Sequence, residues 1–299
     1  MLFRSLTLKT ACWNYDRTAA LFDGRVKPEN LTLDMWSTRQ VGEIMERMVQ
    51  GRQFDVSELG ITYYIRSLEL LDKPFIAIPV FPNRFFRHSS VFVNVNANIS
   101  SPRDLAGRRV GELHRYGHDA GIWAKGAFSD DFGVAAQSQV HFVGGLDHPV
   151  TKPDWAPFEA PKDVEINHLG PEQTLSDMLD RGEIDALYSA QVPVCYRYGS
   201  KRVRRLFPDF EPVEADYYRR TRVFPIMHTV VIKREVYEQH RWIAAALTKA
   251  FEDSKALAMN GYGMSDVFFN APQMTPWLDR KSTRLNSSHI PLSRMPSSA

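Results

Sequence analysis

The chain has 299 residues, 43% of them hydrophobic, with 37 Lys+Arg against 35 Asp+Glu and a net charge of +2. That size and apolar content suit two ordinary cores or one large one. The balanced charge, whose only basic block is Lys201-Arg202-Val203-Arg204-Arg205, speaks against nucleic acid as a partner. Cys12 and Cys195 offer neither a disulfide framework nor zinc-ligand spacing, and no apolar run reaches the roughly 18 residues that a membrane-spanning helix needs.

In chain order, Leu6 to Cys12 alternates as a strand does, Asp16 caps a short helix from Arg17 to Phe22 that stops at Gly24, and Leu31 to Trp36 alternates again. Val41, Ile44, Met45 and Met48 recur three and four apart, which predicts an amphipathic helix ending at Gly51. Phe54 to Ser57 and Ile61 to Leu71 repeat strand and helix, and Phe75 to Phe81 is a bounded apolar run. This βαβ rhythm predicts a mostly parallel sheet. After the strand Val91 to Asn94 the pattern restarts. Gly117 to Phe132 reads as helix, Gln139 to Val143 as strand, Thr174 to Arg181 as helix and Ile184 to Tyr188 as strand. Phe224 to Lys233 follows as a buried strand and Trp242 to Leu257 as a long helix.

Arg4 and Lys9 interrupt the N-terminus, so no export signal is visible and a cytoplasmic location is expected. From Asp279 to His289 apolar periodicity is lost, and the peptide resembles the translation of a common sequencing adapter. Residues 279–299 are therefore expected to be non-native, with the natural chain cut near Leu278.

Pro82-Asn83-Arg84-Phe85-Phe86-Arg87-His88-Ser89 places two fixed cations and an imidazole where the Phe75 to Phe81 strand emerges. In open α/β sheets ligands bind outside the carboxyl ends of such strands, so this segment is a candidate anion pocket. Arg17, in the first strand-to-helix loop, is a third candidate cation, although Arg17 could equally be an exposed first-turn residue.

Asp104-Leu105-Ala106-Gly107-Arg108-Arg109-Val110-Gly111 and Met178-Leu179-Asp180-Arg181-Gly182-Glu183-Ile184-Asp185-Ala186-Leu187 resemble the paired signatures of the type 2 periplasmic-binding-protein-like fold. That resemblance implies an α/β protein of two lobes with two chain crossings and an inter-lobe cleft. We expect lobe one over 1–95 plus 207–278 and lobe two over 96–206. With Tyr15-Asp16-Arg17-Thr18, Phe54-Asp55-Val56-Ser57-Glu58, Phe86-Arg87-His88-Ser89 and Phe224-Pro225-Ile226-Met227-His228-Thr229, the likeness narrows. From about Leu6 to Leu278 the chain resembles the 4,5-dihydroxyphthalate decarboxylase family.

The resemblance implies non-oxidative loss of carbon dioxide from a hydroxylated aromatic dicarboxylate, 4,5-dihydroxyphthalate, to give 3,4-dihydroxybenzoate. Such a reaction needs an acid near the ring carbon, a base near the phenol, and a cation for the carboxylate that stays. It demands no organic cofactor. Arg87 and Arg84 are the first choices for the carboxylate, with Arg17 behind them. His88 is expected as the general acid, slightly ahead of His228, which could instead be a core residue of its apolar strand. Glu58 could accept a phenolic proton, or Ser57 could cap a helix with Glu58 in its first turn; Ser57 is also a candidate contact. Tyr116, His118 and Ser189 are candidate contacts from the second lobe, and Phe85, Phe86 and Trp13 could form an apolar wall. His114 and His118 are four apart, yet Gly117 between them makes a metal site a weak reading. The expected partner is a small aromatic carboxylate, with no nucleic acid and no membrane. A solute-binding protein for a small organic anion, serving a transporter, is the alternative, because binders and enzymes share this fold.

Overall fold

The structure, a computed structural model, describes residues 5–150 and 159–269, with side chains as far as residue 261. The adapter-like segment 279–299 lies outside the described residues. The chain divides into two units, Met1–Arg84 with Ile226–Ala299, and Phe85–Pro225. In chain order the first unit contributes β1 (Leu6–Ala11), α1 (Ala19–Phe22), β2 (Leu31–Trp36), α2 (Val41–Gly51), β3 (Val56–Gly60), α3 (Ile61–Ser67) and β4 (Phe75–Arg84). The second contains β5 (Val91–Asn94), β6 (Arg109–Leu113), α4 (Asp119–Phe132), β7 (Val140–Gly144), β8 (Glu165–His168), α5 (Leu175–Arg181), β9 (Ala186–Tyr188), α6 (Val194–Arg197), β10 (Val203–Arg205) and α7 (Phe210–Thr221). The chain then returns to the first unit as β11 (Ile226–Lys233), α8 (Arg234–Gln239) and α9 (Ile243–Phe269).

In the first unit the strand order is β2-β1-β3-β11-β4. β1 runs parallel to β2 and β3, whereas β11 is antiparallel to both β3 and β4, which the expectation of a mostly parallel sheet did not contain. Leu8, Val56, Ile78, Val80, Val230 and Ile232 of the sheet bury against Leu21 and against Ile243, Leu247, Ala250 and Phe251 of α9. α2 forms as its period requires, burying Ile44, Met45 and Met48 and ending where Arg52 turns left-handed.

The second unit has the order β10-β5-β9-β6-β7-β8, with β6, β7, β8 and β9 parallel and β5 antiparallel to β9 and β10. α5 is delimited as the sequence signals predict, by the Thr174 side chain at its start and left-handed Gly182 at its end. The crossings fall at 84/85 and 225/226 rather than at 95/96 and 206/207. β4 pairs with β11 as far as Arg84, opposite Ile226, while β5 sits inside the second sheet. α7, which periodicity did not reveal, packs Tyr217 with Phe86 and Val91 in the second core.

Direction within the first sheet decides what can meet. The chain leaves β1 to form β2 on one side and β3 on the other, so the carboxyl ends of β1 and β3 mark a topological switch point, where ligands bind in such sheets. β4 points the same way as β1 and β3, and antiparallel β11 brings its amino end there. Residues 12–17, Glu58, Arg84 and His228 therefore belong to one sheet edge.

Candidate active site

At that edge the Glu58 carboxylate is fully buried and accepts from four donors. Oε1 lies 2.6 Å from Nδ1 of His228 and 2.7 Å from the Tyr15 hydroxyl. Oε2 accepts the Trp13 backbone N–H at 2.8 Å and the Cys12 thiol at 3.4 Å. Burial alone would raise the Glu58 carboxyl, but the hydrogen bond and charge of His228, with the Trp13 and Tyr15 bonds, outweigh it and hold the group below its ordinary value. The same burial, with the Glu58 charge added, pushes the Tyr15 hydroxyl and the Cys12 thiol well up. An ionised acceptor at Nδ1 fixes the His228 tautomer with its proton on that nitrogen and leaves Nε2, which has no partner among the described residues, to exchange protons.

Both Glu58 oxygens are thus already engaged, which counts against the expectation that Glu58 takes a phenolic proton. Ser57 is also corrected. It lies within β3 rather than at a helix cap, is fully buried, and donates to the Glu58 carbonyl at 2.9 Å, so it reaches no ligand.

Arg17 stacks over the Tyr15 ring at 4.0 Å, donates from Nε to the Pro82 carbonyl at 2.6 Å and pairs with Asp16 at 3.0 Å. The expected helix-start anion site is not built beside it, since α1 begins at Ala19 and has only four residues. Arg84 closes β4 with its guanidinium 5.6 Å from the Phe81 ring. Trp13 is 38% exposed and meets Tyr15 edge-on at 5.0 Å, which suits an apolar wall.

The remaining sequence candidates lie in the second unit. His88 is buried against Phe207, Tyr217 and Phe128, and desolvation pushes its pKa down to about 4. Its ring is therefore neutral near pH 7, which counts against the expectation that His88 is the general acid. Arg87 is buried as well, its pKa lowered to about 10 by desolvation and supported by the charges of Asp119 and Glu214. The charges of these two buried acids offset that of the guanidinium, which counts against Arg87 as the grip for a substrate carboxylate. The space that Arg87 and His88 share with Trp123, Phe128 and Tyr217 holds no more than about one water.

Tyr116 is buried beneath the Lys125 ammonium at 3.5 Å, and burial with the Glu112 charge raises its hydroxyl to about 12. His118 caps α4, its Nδ1 accepting from the Ala120 N–H at 3.3 Å. His114 sits at φ 65° ahead of that helix, so the two histidines do not share a helical turn. Ser189 is buried and accepts from the Gln191 N–H at 3.1 Å, terminating its strand. Phe86 stacks on Phe224 at 4.6 Å as core, whereas Phe85 is 43% exposed.

No protein-family model matches the chain. A 4,5-dihydroxyphthalate decarboxylase of Comamonas testosteroni is 35% identical over 254 residues, covering 85% of this chain and 76% of that protein. The chain belongs to the 4,5-dihydroxyphthalate decarboxylase family. A second such decarboxylase, of Pseudomonas putida, is 31% identical over 219 residues, covering 73% of the chain and 84% of that protein. Among solved structures, the periplasmic aliphatic sulphonate binding protein of Escherichia coli aligns with a TM-score of 0.50 at 13% identity, over 96% of this chain and 84% of its own. The alkanesulfonate-binding protein of Xanthomonas axonopodis pv. citri gives 0.50 at 9%, over 95% and 84%. The chain therefore has the periplasmic-binding-protein fold, as the sequence resemblance implied.

Within that family framework, sequence reading missed Tyr15 as a partner of Glu58, the acids that neutralise Arg87, and a second buried network. In the second unit Glu112 pairs with Lys125 and lies 3.1 Å from His141 Nδ1, and the Lys125 and His141 charges overcome burial to hold its carboxyl low. Glu112 lies in β6, in a stretch that the sequence suggested as a loop, and Lys125 on an inward position of α4; only the charge of both at buried positions marks them. No described helix is long and apolar enough to cross a membrane.

Proposed function

We propose that the chain is a carboxy-lyase that converts 4,5-dihydroxyphthalate to 3,4-dihydroxybenzoate and carbon dioxide without oxidation. Family membership supports the reaction class, and one observation in the structure supports the mechanism: buried, ionised Glu58 holds Nδ1 of His228 at 2.6 Å on the sheet edge that also carries Arg17 and Arg84. Each carboxylate of this substrate lies para to one hydroxyl, and loss of either gives the same product. Arg17 and Arg84 hold the carboxylate that stays. The para hydroxyl donates electron density, and His228 delivers a proton from Nε2 to the ring carbon bearing the other carboxylate. The bond from that carbon to the carboxylate then breaks, its electron pair restores the aromatic ring, and carbon dioxide leaves. One proton is consumed, and solvent returns it to His228. Glu58 balances the imidazolium charge and fixes the ring. The likeness to sulphonate-binding proteins supports the fold alone and gives the transport reading no residue of its own.

Incubation with 4,5-dihydroxyphthalate tests this reading. Stoichiometric 3,4-dihydroxybenzoate and carbon dioxide are expected, and tight binding without turnover would favour a binding protein. A cytoplasmic setting belongs to the same proposal and is checked by cell fractionation.

A further inference from the structure

We propose that Lys255 of α9 is a third substrate-binding cation, which joins Arg17 and Arg84 to hold the carboxylate that remains on the ring; this rests on the decarboxylase reading of the same site. α9 buries Leu247, Ala250 and Phe251 in the core that also takes Ala20 and Leu21 of α1 and Ile78 and Val80 of β4. Lys255 follows Phe251 by one helical turn and shares its face. Ser254 beside it is fully buried and Lys255 itself is half-buried, at the margin of that core. Arg17 immediately precedes α1 and is tied through Nε to Pro82 of β4, and Arg84 ends that same strand. Three cations thus converge from three elements that pack on one another.

The charges facing Lys255 from these elements are those of Arg17 and Arg84, Asp16 being engaged by Arg17. On its own helix Glu252 is exposed and offsets them only in part. Among the described residues Lys255 forms no ion pair. Burial and then the two guanidinium groups push the Lys255 ammonium down to about 8, with Glu252 opposing them only in part. A bound carboxylate brings a countercharge to the three cations together. The retained carboxylate is the one suited to such a cradle, because a cation gripping the departing group would oppose its conversion to neutral carbon dioxide.

The test uses Lys255→Met and Lys255→Arg in the full chain, with calorimetric affinity for phthalate, which lacks the hydroxyls, and KM and kcat for 4,5-dihydroxyphthalate. Loss of one charge-assisted contact is expected to weaken phthalate binding and raise KM roughly 10- to 100-fold in Lys255→Met, with kcat changed far less. Lys255→Arg restores affinity to within a few-fold. Wild-type affinity for phthalate falls about tenfold between pH 7 and pH 9 as the ammonium loses its proton, and Lys255→Arg does not show that fall. Unchanged phthalate affinity in Lys255→Met, or the same pH dependence in Lys255→Arg, overturns the inference while wild-type turnover keeps the decarboxylase reading. Lysine-dependent phthalate binding by a wild-type protein that produces no carbon dioxide supports the cradle and removes the decarboxylase reading. A wild type that neither binds phthalate nor turns over removes both.

Discussion

Replacing Glu58 by Gln preserves shape and inverts the hydrogen-bond logic of the site. The Trp13 backbone N–H can only donate, so the amide oxygen must turn toward it, and the amide NH2 then faces Nδ1 of His228 and the Tyr15 hydroxyl. Nδ1 becomes an acceptor, the neutral ring carries its proton on Nε2, and no carboxylate remains to balance an imidazolium. A histidine held in the wrong tautomer by loss of its carboxylate costs about 10⁴ in the serine-protease triad. A fall in kcat of about 10³, or about 4 kcal/mol of barrier, is expected here. Gln is more informative than Ala, since removing one partner of a buried pair costs about 3–5 kcal/mol of stability and confounds the readout. The assay couples kcat for 4,5-dihydroxyphthalate to the ¹⁵N shifts of the His228 ring. A Glu58→Gln protein within tenfold of wild type, or one that keeps its proton on Nδ1, would refute the tautomer argument.

His88 gives a pH test of stability. Its folded pKa of about 4 lies below the ordinary value, so between about pH 6.5 and 4 the unfolded chain binds a proton that the folded chain does not, and stability falls as pH falls; the shift corresponds to about 3 kcal/mol at most. In urea titrations of the second unit's transition, His88→Phe is expected to flatten this loss, and identical profiles would contradict the burial argument. Arg17→Ala is expected to raise KM for 4,5-dihydroxyphthalate about 10- to 100-fold, and an unchanged KM would take it out of the site. A Cβ at Gly121 would lie 2.5 Å from Glu112 Oε2, so Gly121→Ala is expected to cost about 1–3 kcal/mol in urea melts; a smaller effect would show that the Glu112 network yields easily.

Periodicity made most of the sheet and helix order legible. α2 and α5 carried both an apolar stripe and chemical end signals, and β1 alternated from its first residue. β3 begins two residues later than Phe54, because an apolar run marks a buried strand without marking its register. That offset made Ser57 look like a cap and hid Glu58 inside a strand. His228 was legible as a histidine in an apolar strand. Its partner was not, since the antiparallel pairing of β11 with β3 joins residues far apart in sequence. Arg87 and His88 misled for the converse reason. Charge and proximity to a strand end suggested a ligand site, but Asp119 and Glu214 arrive from distant helices to neutralise the guanidinium, and aromatic packing silences the imidazole.

The most direct test of His228 as the proton donor compares kcat for 4,5-dihydroxyphthalate in His228→Gln and His88→Phe under the same conditions. A fall of about 10²–10⁴ in His228→Gln, with His88→Phe within a few-fold of wild type, is the predicted result. A His228→Gln protein that retains turnover while His88→Phe loses it would contradict the account.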